Sequence, residues 1–113
     1  MDIPLQPLRI PTGRHVDYNN GFWEVDPEPS DVREEDRWRL FKQDMLQLKQ
    51  PHFNRLLDVG WDPEGDLISG QYKLVVYEGD FSGRLLHECN TRDRLDLVAE
   101  IERLLDAVCR GEQ

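Results

Sequence analysis

Between residues 55 and 90 the chain carries three strand-like segments whose linkers are too short to hold a crossover. RLLDVGW places Leu57, Val59 and Trp61 on one face. QYKLVVYEG alternates Tyr72, Leu74 and Val76 with Lys73, Val75 and Tyr77, and RLLHECN sets Leu85, His87 and Cys89 against Leu86 and Glu88. The linkers are DPEGDLISG and GDFSG. Parallel neighbours need a connection of about a dozen or more residues, whereas antiparallel strands are joined by tight turns. The spacing therefore predicts an antiparallel meander.

The flanking segments complete the layout. A closing helix runs from a cap at Thr91 or Asp93 to about Val108, with Leu97, Val98, Ile101, Leu104, Leu105 and Val108 on its apolar face and Gly111 beyond its end. Upstream, Trp38, Phe41, Met45 and Leu48 recur at three- and four-residue steps, widened by Leu40 and Leu46. They predict a helix from about Asp31 to Lys49, stopped before Pro51, with Ser30 or Asp31 as N-cap and Glu34 completing a capping box. RHVDY and FWEVD flank Asn19-Asn20-Gly21, a pair of short strands around a turn that tolerates positive φ. In the second strand Phe22 alternates with Glu24 and Trp23 with Val25, giving an aromatic and aliphatic face opposite a more acidic one. Residues 1–13 hold Pro4, Pro7, Pro11 and Gly13 and read as an irregular arm, its Ile3, Leu5, Leu8 and Ile10 lying along the domain. The order ββαβββα gives an α+β fold, a single antiparallel β-sheet with two helices packed on one face. No repeat or low-complexity tract divides the chain, so residues 1–113 form a single domain.

Charge narrows the function classes. The chain has 23 acidic and 14 basic side chains, a formal net charge of −9. It repels nucleic acid, whose binding rests on Lys and Arg neutralising phosphates, and it repels anionic membrane surfaces. A basic protein is its natural attractive partner. No run of 18 apolar residues and no basic-then-apolar leader is present, so the expectation is a cytoplasmic protein. Cys89 and Cys109 fit no CxxC or His-bearing ligand pattern and read as reduced thiols.

Catalytic motifs are sparse. His15, His52 and His87 have no Ser, Cys or Asp beside them in a nucleophile motif, although His87 could meet Asp58 across the sheet. Cys89 precedes a helix, but acidic surroundings disfavour its thiolate. The glycines form no phosphate loop. Asp58, Asp62, Glu64 and Asp66 alternate as calcium ligands do. Counting from Asp62, however, Leu67 and Lys73 stand where a calcium loop needs Gly and Glu. No catalytic residue, metal ligand or cofactor is assigned.

The acidic runs carry more information. From Glu24 to Asp36 there are seven acidic residues and one Arg, and from Asp58 to Asp66 four acidic residues and no base. Each run adjoins aromatics, Phe22 and Trp23 at the first and Trp61 within the second. Carboxylates beside aromatic anchors suit an interface with a basic protein, because charge speeds encounter and buried anchors slow dissociation. The candidate contacts are Glu24, Asp26, Glu28, Asp58, Asp62, Glu64 and Asp66, with Trp23 and Trp61 as anchors.

Taken together, FWEVDPEP, LFKQDMLQL, LLDVGWDPEGD and DLVAEIERLLDAV give the chain an order of elements, across most of residues 14–108, that resembles the small acidic immunity proteins of bacterial contact-dependent growth inhibition and other polymorphic toxin systems. The resemblance implies a non-enzymatic protein that binds a cognate toxin domain, often a basic nuclease, and blocks it. No site residue transfers from such a diverse group. Two other readings use the same residues. One is a small metal-dependent hydrolase built on Asp58, Asp62 and His87. The other is an acidic nucleic-acid mimic that regulates a DNA-binding protein. An exposed sheet edge allows either a monomer or a homodimer.

Overall fold

Alternating apolar side chains in the central strands decide the architecture. A computed structural model describes residues 3–8, 15–19, 21–50 and 54–109. Strand β1 (His15–Asn19) is followed by a 3-10 turn (Glu34–Asp36) and the one-turn helix α1 (Arg37–Leu40). Strands β2 (Leu46–Gln50), β3 (Arg55–Asp62), β4 (Gln71–Glu78) and β5 (Leu85–Thr91) then lead into α2 (Arg94–Cys109). The strands form one sheet in the order β1-β2-β3-β4-β5, antiparallel throughout. The α+β class and the single antiparallel sheet are as the sequence implies.

Register gives the sheet two unlike faces. On one face Leu48, Leu57, Val76 and His87 lie in one cross-strand row, and Leu46, Val59, Leu74 and Cys89 in the next. Trp61 opposes Tyr72 beyond them. Helix α2 packs over this face at β4 and β5. Its Leu97, Ile101, Leu104 and Leu105 join the strand residues in one buried cluster. Asp93 caps the helix, its Oδ1 accepting from the backbone N–H groups of Leu95 and Asp96. Phe22, Phe41, Trp61 and Tyr72 form an aromatic block at one end of this core, with Trp61 and Tyr72 edge to face at 4.9 Å and Phe41 5.0 Å from Trp61.

The first half of the chain departs from expectation. The helix expected over 31–49 is cut to the segment Glu34–Leu40, and Leu46–Gln50 is a strand, so the order is βαββββα rather than ββαβββα. Phe41, Met45 and Leu48 are buried as expected, but from a loop and a strand rather than a helical stripe. Gln, Lys, Met and Leu are all good helix formers, and pairing with β3 overrides that weak preference. No side chain caps the 3-10 turn, whose cap position is Arg33, so the capping box does not form. Trp38, expected on the buried stripe, is 66% exposed.

Among the described residues, the hairpin expected about residues 19–21 does not form, Asn20 itself lying outside them. Strand β1 pairs with β2 instead, and Phe22 turns into the core. The acidic stretch after it pairs with the N-terminal arm. Leu5 bridges Trp23, and the N–H groups of Gln6 and Glu24 donate to the carbonyls of Phe22 and Pro4. Ile3 and Leu8 pack against the core from this arm, while Ile10 lies outside the described residues. Among the described residues, no helix is long and apolar enough to cross a membrane.

Candidate functional site

An all-antiparallel sheet sends alternate connections to opposite ends. The segment between β1 and β2, the turn between β3 and β4 and the junction of β5 with α2 therefore share one end. The first acidic run lies in the β1–β2 segment, and the second reaches this end from Asp62 onward, its Asp58 lying within β3. Arg92 ties them together. Its guanidinium donates to the carbonyls of Leu67 (2.6 Å), Pro27 (3.2 Å) and Gly70, and it stacks 5.5 Å from the centre of the Trp61 ring. Arg94 adds a second tie, from Nε to Asp26 Oδ1 at 2.9 Å and from Nη1 to Gln6 Oε1. Beneath them Val32 and Leu67 belong to the same buried cluster.

The candidate contacts fall into distinct positions. Glu24, Glu28, Asp62 and Glu64 are exposed at this end, and Glu64 accepts the backbone N–H of Gln43 at 3.3 Å. Asp26 is exposed but paired with Arg94. Asp66 is committed to its own turn, its Oδ1 accepting from the N–H groups of Ile68 and Ser69. Asp36, in the same run, is turned inward. Burial pushes its carboxyl up, and hydrogen bonds and charge from Arg33 and Arg39 more than offset this, leaving it below the usual range.

The two tryptophans differ. Trp23 is half-buried against the core. Trp61 is 0% exposed and donates its Nε1–H to the Asp66 carbonyl at 2.9 Å, so it is a core residue and not a surface anchor. The exposed indole at this end belongs to Trp38. It lies over Gly65, where a Cβ would stand 2.8 Å from the ring and the backbone has φ +75°. Trp38 thus sits on the DPEGD turn, among the carboxylates.

Asp58 occupies the other face of the sheet. It pairs in register with Gln47 on β2 and Val75 on β4, and Val75 with Glu88 on β5. Gly60 and Asp62 share that face. The backbone of Gln43 crosses directly over Gly60, where a Cβ would fall 1.8 Å from the Gln43 carbonyl oxygen. The crossing is held by hydrogen bonds from Met45 N–H to the Val59 carbonyl and from Trp61 N–H to the Lys42 carbonyl. Glycine at 60 thereby lets Asp44 approach Asp58. A cavity of about 260 Å³ opens here, and Asp44, Asp58, Asp62, Lys73, Tyr77 and Phe81 line it. Burial first, and repulsion from Asp44 second, push the Asp58 carboxyl up to about 6, against a hydrogen bond from Gln47. Its Oδ1 is buried without a hydrogen-bond partner among the described residues. Tyr77 and Phe81 pack edge to face at 5.5 Å on the far wall.

This geometry separates the residues of the hydrolase reading. His87 lies on the helix-covered face and Asp58 on the open one, so the sheet stands between them. His87 Nε2 is instead 3.1 Å from Glu100 Oε1 on α2. Cys89, a free thiol on the same covered face, is pushed up by burial and by Glu100, which disfavours a nucleophilic thiolate. Among the described residues, no group of three His, Cys, Asp or Glu side chains is arranged to hold a metal ion. His52 lies outside the described residues.

Sequence reasoning passed over Arg92, Asp44, Trp38 and the Tyr77–Phe81 pair. Only the last had a local signal, since Tyr77 shares the alternation of Lys73 and Val75. No protein-family model matches the chain, and neither the curated proteins nor the solved structures yield a match.

Proposed function

We propose that the chain is a non-enzymatic, cytoplasmic inhibitor of the immunity type, which binds one basic toxin domain through its acidic end and blocks it. The observation that supports this reading is the convergence of the first acidic run and the 62–66 part of the second, far apart in sequence, on one end of the sheet under the shared clasp of Arg92. Glu24, Glu28, Asp62 and Glu64 present unburied charge there, and Trp38 supplies an exposed aromatic surface in their midst. Such a surface speeds encounter with a basic groove, and its desolvated centre sets the lifetime of the complex.

The test is inhibition together with salt dependence. The purified chain should capture a basic domain at low salt and suppress that domain's activity at one equivalent, with capture lost by about 0.5 M salt. Replacing Glu24, Glu28, Asp62 and Glu64 by their amides should slow association at least tenfold. A captured partner that keeps full activity, or an association rate indifferent to both salt and the four substitutions, would overturn the reading.

A further inference from the structure

We propose that the cavity on the open face of the sheet, between the carboxylates of Asp58, Asp44 and Asp62 and the aromatic pair Tyr77–Phe81, receives a single guanidinium, the arginine side chain of a protein partner. The partner's nature rests on the function proposed above, whereas the chemistry of the receptor rests on the cavity itself.

Three observations carry the assignment. The first is enclosure. Val75 is only 5% exposed beside Asp58, and Asp58 Oδ1 is shut off from solvent without a hydrogen-bond donor among the described residues. An acceptor left in that state favours a ligand that brings N–H groups. The second is charge. Asp44 adds to the negative potential at Asp58. Lys73 is half-exposed and leans towards Glu88, with Nζ 3.9 Å from Oε1, while the groups that act on the Asp58 carboxyl are Asp44 and Gln47. The third is the shape of the far wall. Tyr77 and Phe81 offer ring surface, with Phe81 51% exposed. A guanidinium is planar and weakly hydrated, stacks on aromatic rings and donates in pairs to a carboxylate. An ammonium is compact and holds its water, so the cavity selects arginine over lysine. Asp62 joins this cavity to the acidic end, so one surface runs from the loops onto the sheet.

Among the described residues, the charged and titratable groups facing this cavity include Asp44 on the crossing segment, Asp62 on β3 and Lys73 and Tyr77 on β4, with Glu88 on β5 beyond Val75. The site binds its cation when Asp58 is ionised and releases it as Asp58 takes up a proton.

The experiment is an NMR titration of the whole chain with N-acetyl-arginine amide, with N-acetyl-lysine amide as comparison. Saturable shifts at Asp58, Val75, Tyr77 and Phe81 are expected, with Kd on the order of 1–10 mM. The lysine probe should bind at least about threefold more weakly, and binding at pH 5 should be about tenfold weaker than at pH 7.5. Asp58→Asn should abolish saturation, Asp44→Asn should weaken it, and the amides of Glu24 and Glu28 should leave it unchanged. No saturation at several times that concentration, or equal shifts in Asp58→Asn, would overturn the assignment. The titration needs no toxin, so failure to capture a basic partner leaves it readable. Conversely, a captured basic partner whose affinity ignores Asp58→Asn would sink the cavity and spare the acidic end.

Discussion

Replacing Asp58 by Asn should make this protein more stable at neutral pH, although it deletes a charge. The carboxyl rises from its ordinary 3.8 to about 6 in the folded chain. The folded state therefore holds a proton that the unfolded state has released between those two values. The slope of stability with pH follows the difference in bound protons, unfolded minus folded, which is negative in this window. The contribution of Asp58 is thus most favourable below about pH 4 and is lost as pH rises through 6. At about 1.4 kcal/mol per tenfold in proton affinity, the full displacement corresponds to about 3 kcal/mol. Solvent reaches one side of the carboxyl, which screens it and reduces the expectation to about 1–2 kcal/mol.

The amide keeps the shape of the side chain and a partner for Gln47 but removes the desolvated charge and the repulsion from Asp44. Urea unfolding followed by tryptophan fluorescence, on both proteins at a series of pH values from 3.5 to 8, isolates this site. The other carboxylates titrate alike in the two chains and cancel in the difference. The difference in unfolding free energy, variant minus parent, should climb by about 1–2 kcal/mol between pH 4 and pH 7 and then level off. A flat difference, or a variant less stable than the parent at pH 7.5, would refute the argument that burial and Asp44 act on this carboxyl. Repeating the series in an Asp44→Asn background should shrink the climb, because the second cause is then gone.

Gly60→Ala should destabilise by about 3 kcal/mol, since its Cβ meets the Gln43 carbonyl with no flexible side chain to yield, and a Tm lowered by only a degree or two would contradict the crossing. Tyr72→Phe should be neutral or stabilising by about 1 kcal/mol, because the Tyr72 hydroxyl is buried without a partner among the described residues; a loss above 1 kcal/mol in urea unfolding would show that the hydroxyl is satisfied. Arg92→Ala should cost about 2–3 kcal/mol and raise amide exchange at 26–28 and 66–70 together, whereas exchange confined to one segment would mean that Arg92 does not couple the loops.

The second half of the fold was legible because its information is local. Alternation over β3 to β5 and a 3.6-residue period with an Asp93 cap each stand within a single window. The same alternation put Asp58 opposite Leu57 and Val59, so its face was readable too. The first half turns on pairings between distant segments. HVDYN and LQLKQ are partners across the connection of residues 20–45, and nothing in either names the other. In LFKQDMLQLKQ the buried residues Leu40, Phe41, Met45 and Leu48 fit a helical period, while Leu46, Leu48 and Gln50 fit a strand period. Only the presence of β3 alongside decides between them. The same limit explains the tryptophans. Composition shows indoles beside acids, but which of them is buried depends on Phe41 stacking against Trp61 and on Gly65 leaving room for Trp38.

Cost and position at residue 58 then bear on each other. The open face already carries neutral or solvated polar groups, Gln47 and Lys73 beside Asp58 and Asn90 beyond, so solubility does not require a carboxylate where water is half excluded. Asparagine would fill the same space with a smaller desolvation cost. The glycine that brings Asp44 alongside adds repulsion to that cost, in a cavity with an aromatic wall and an acceptor lacking a donor among the described residues. The buried carboxyl and its repulsion from Asp44 oppose folding of the isolated chain, and the proposed arrival of a flat, multiply donating cation would relieve both. Stability given up at one place and recovered on binding is the relation expected of an interaction site, where the bound state is the one that function favours. The acidic end lacks this signature, since its exposed carboxylates cost folding little. In the proposed reading the acidic end would steer a basic partner, and the cavity beside it would hold that partner's arginine.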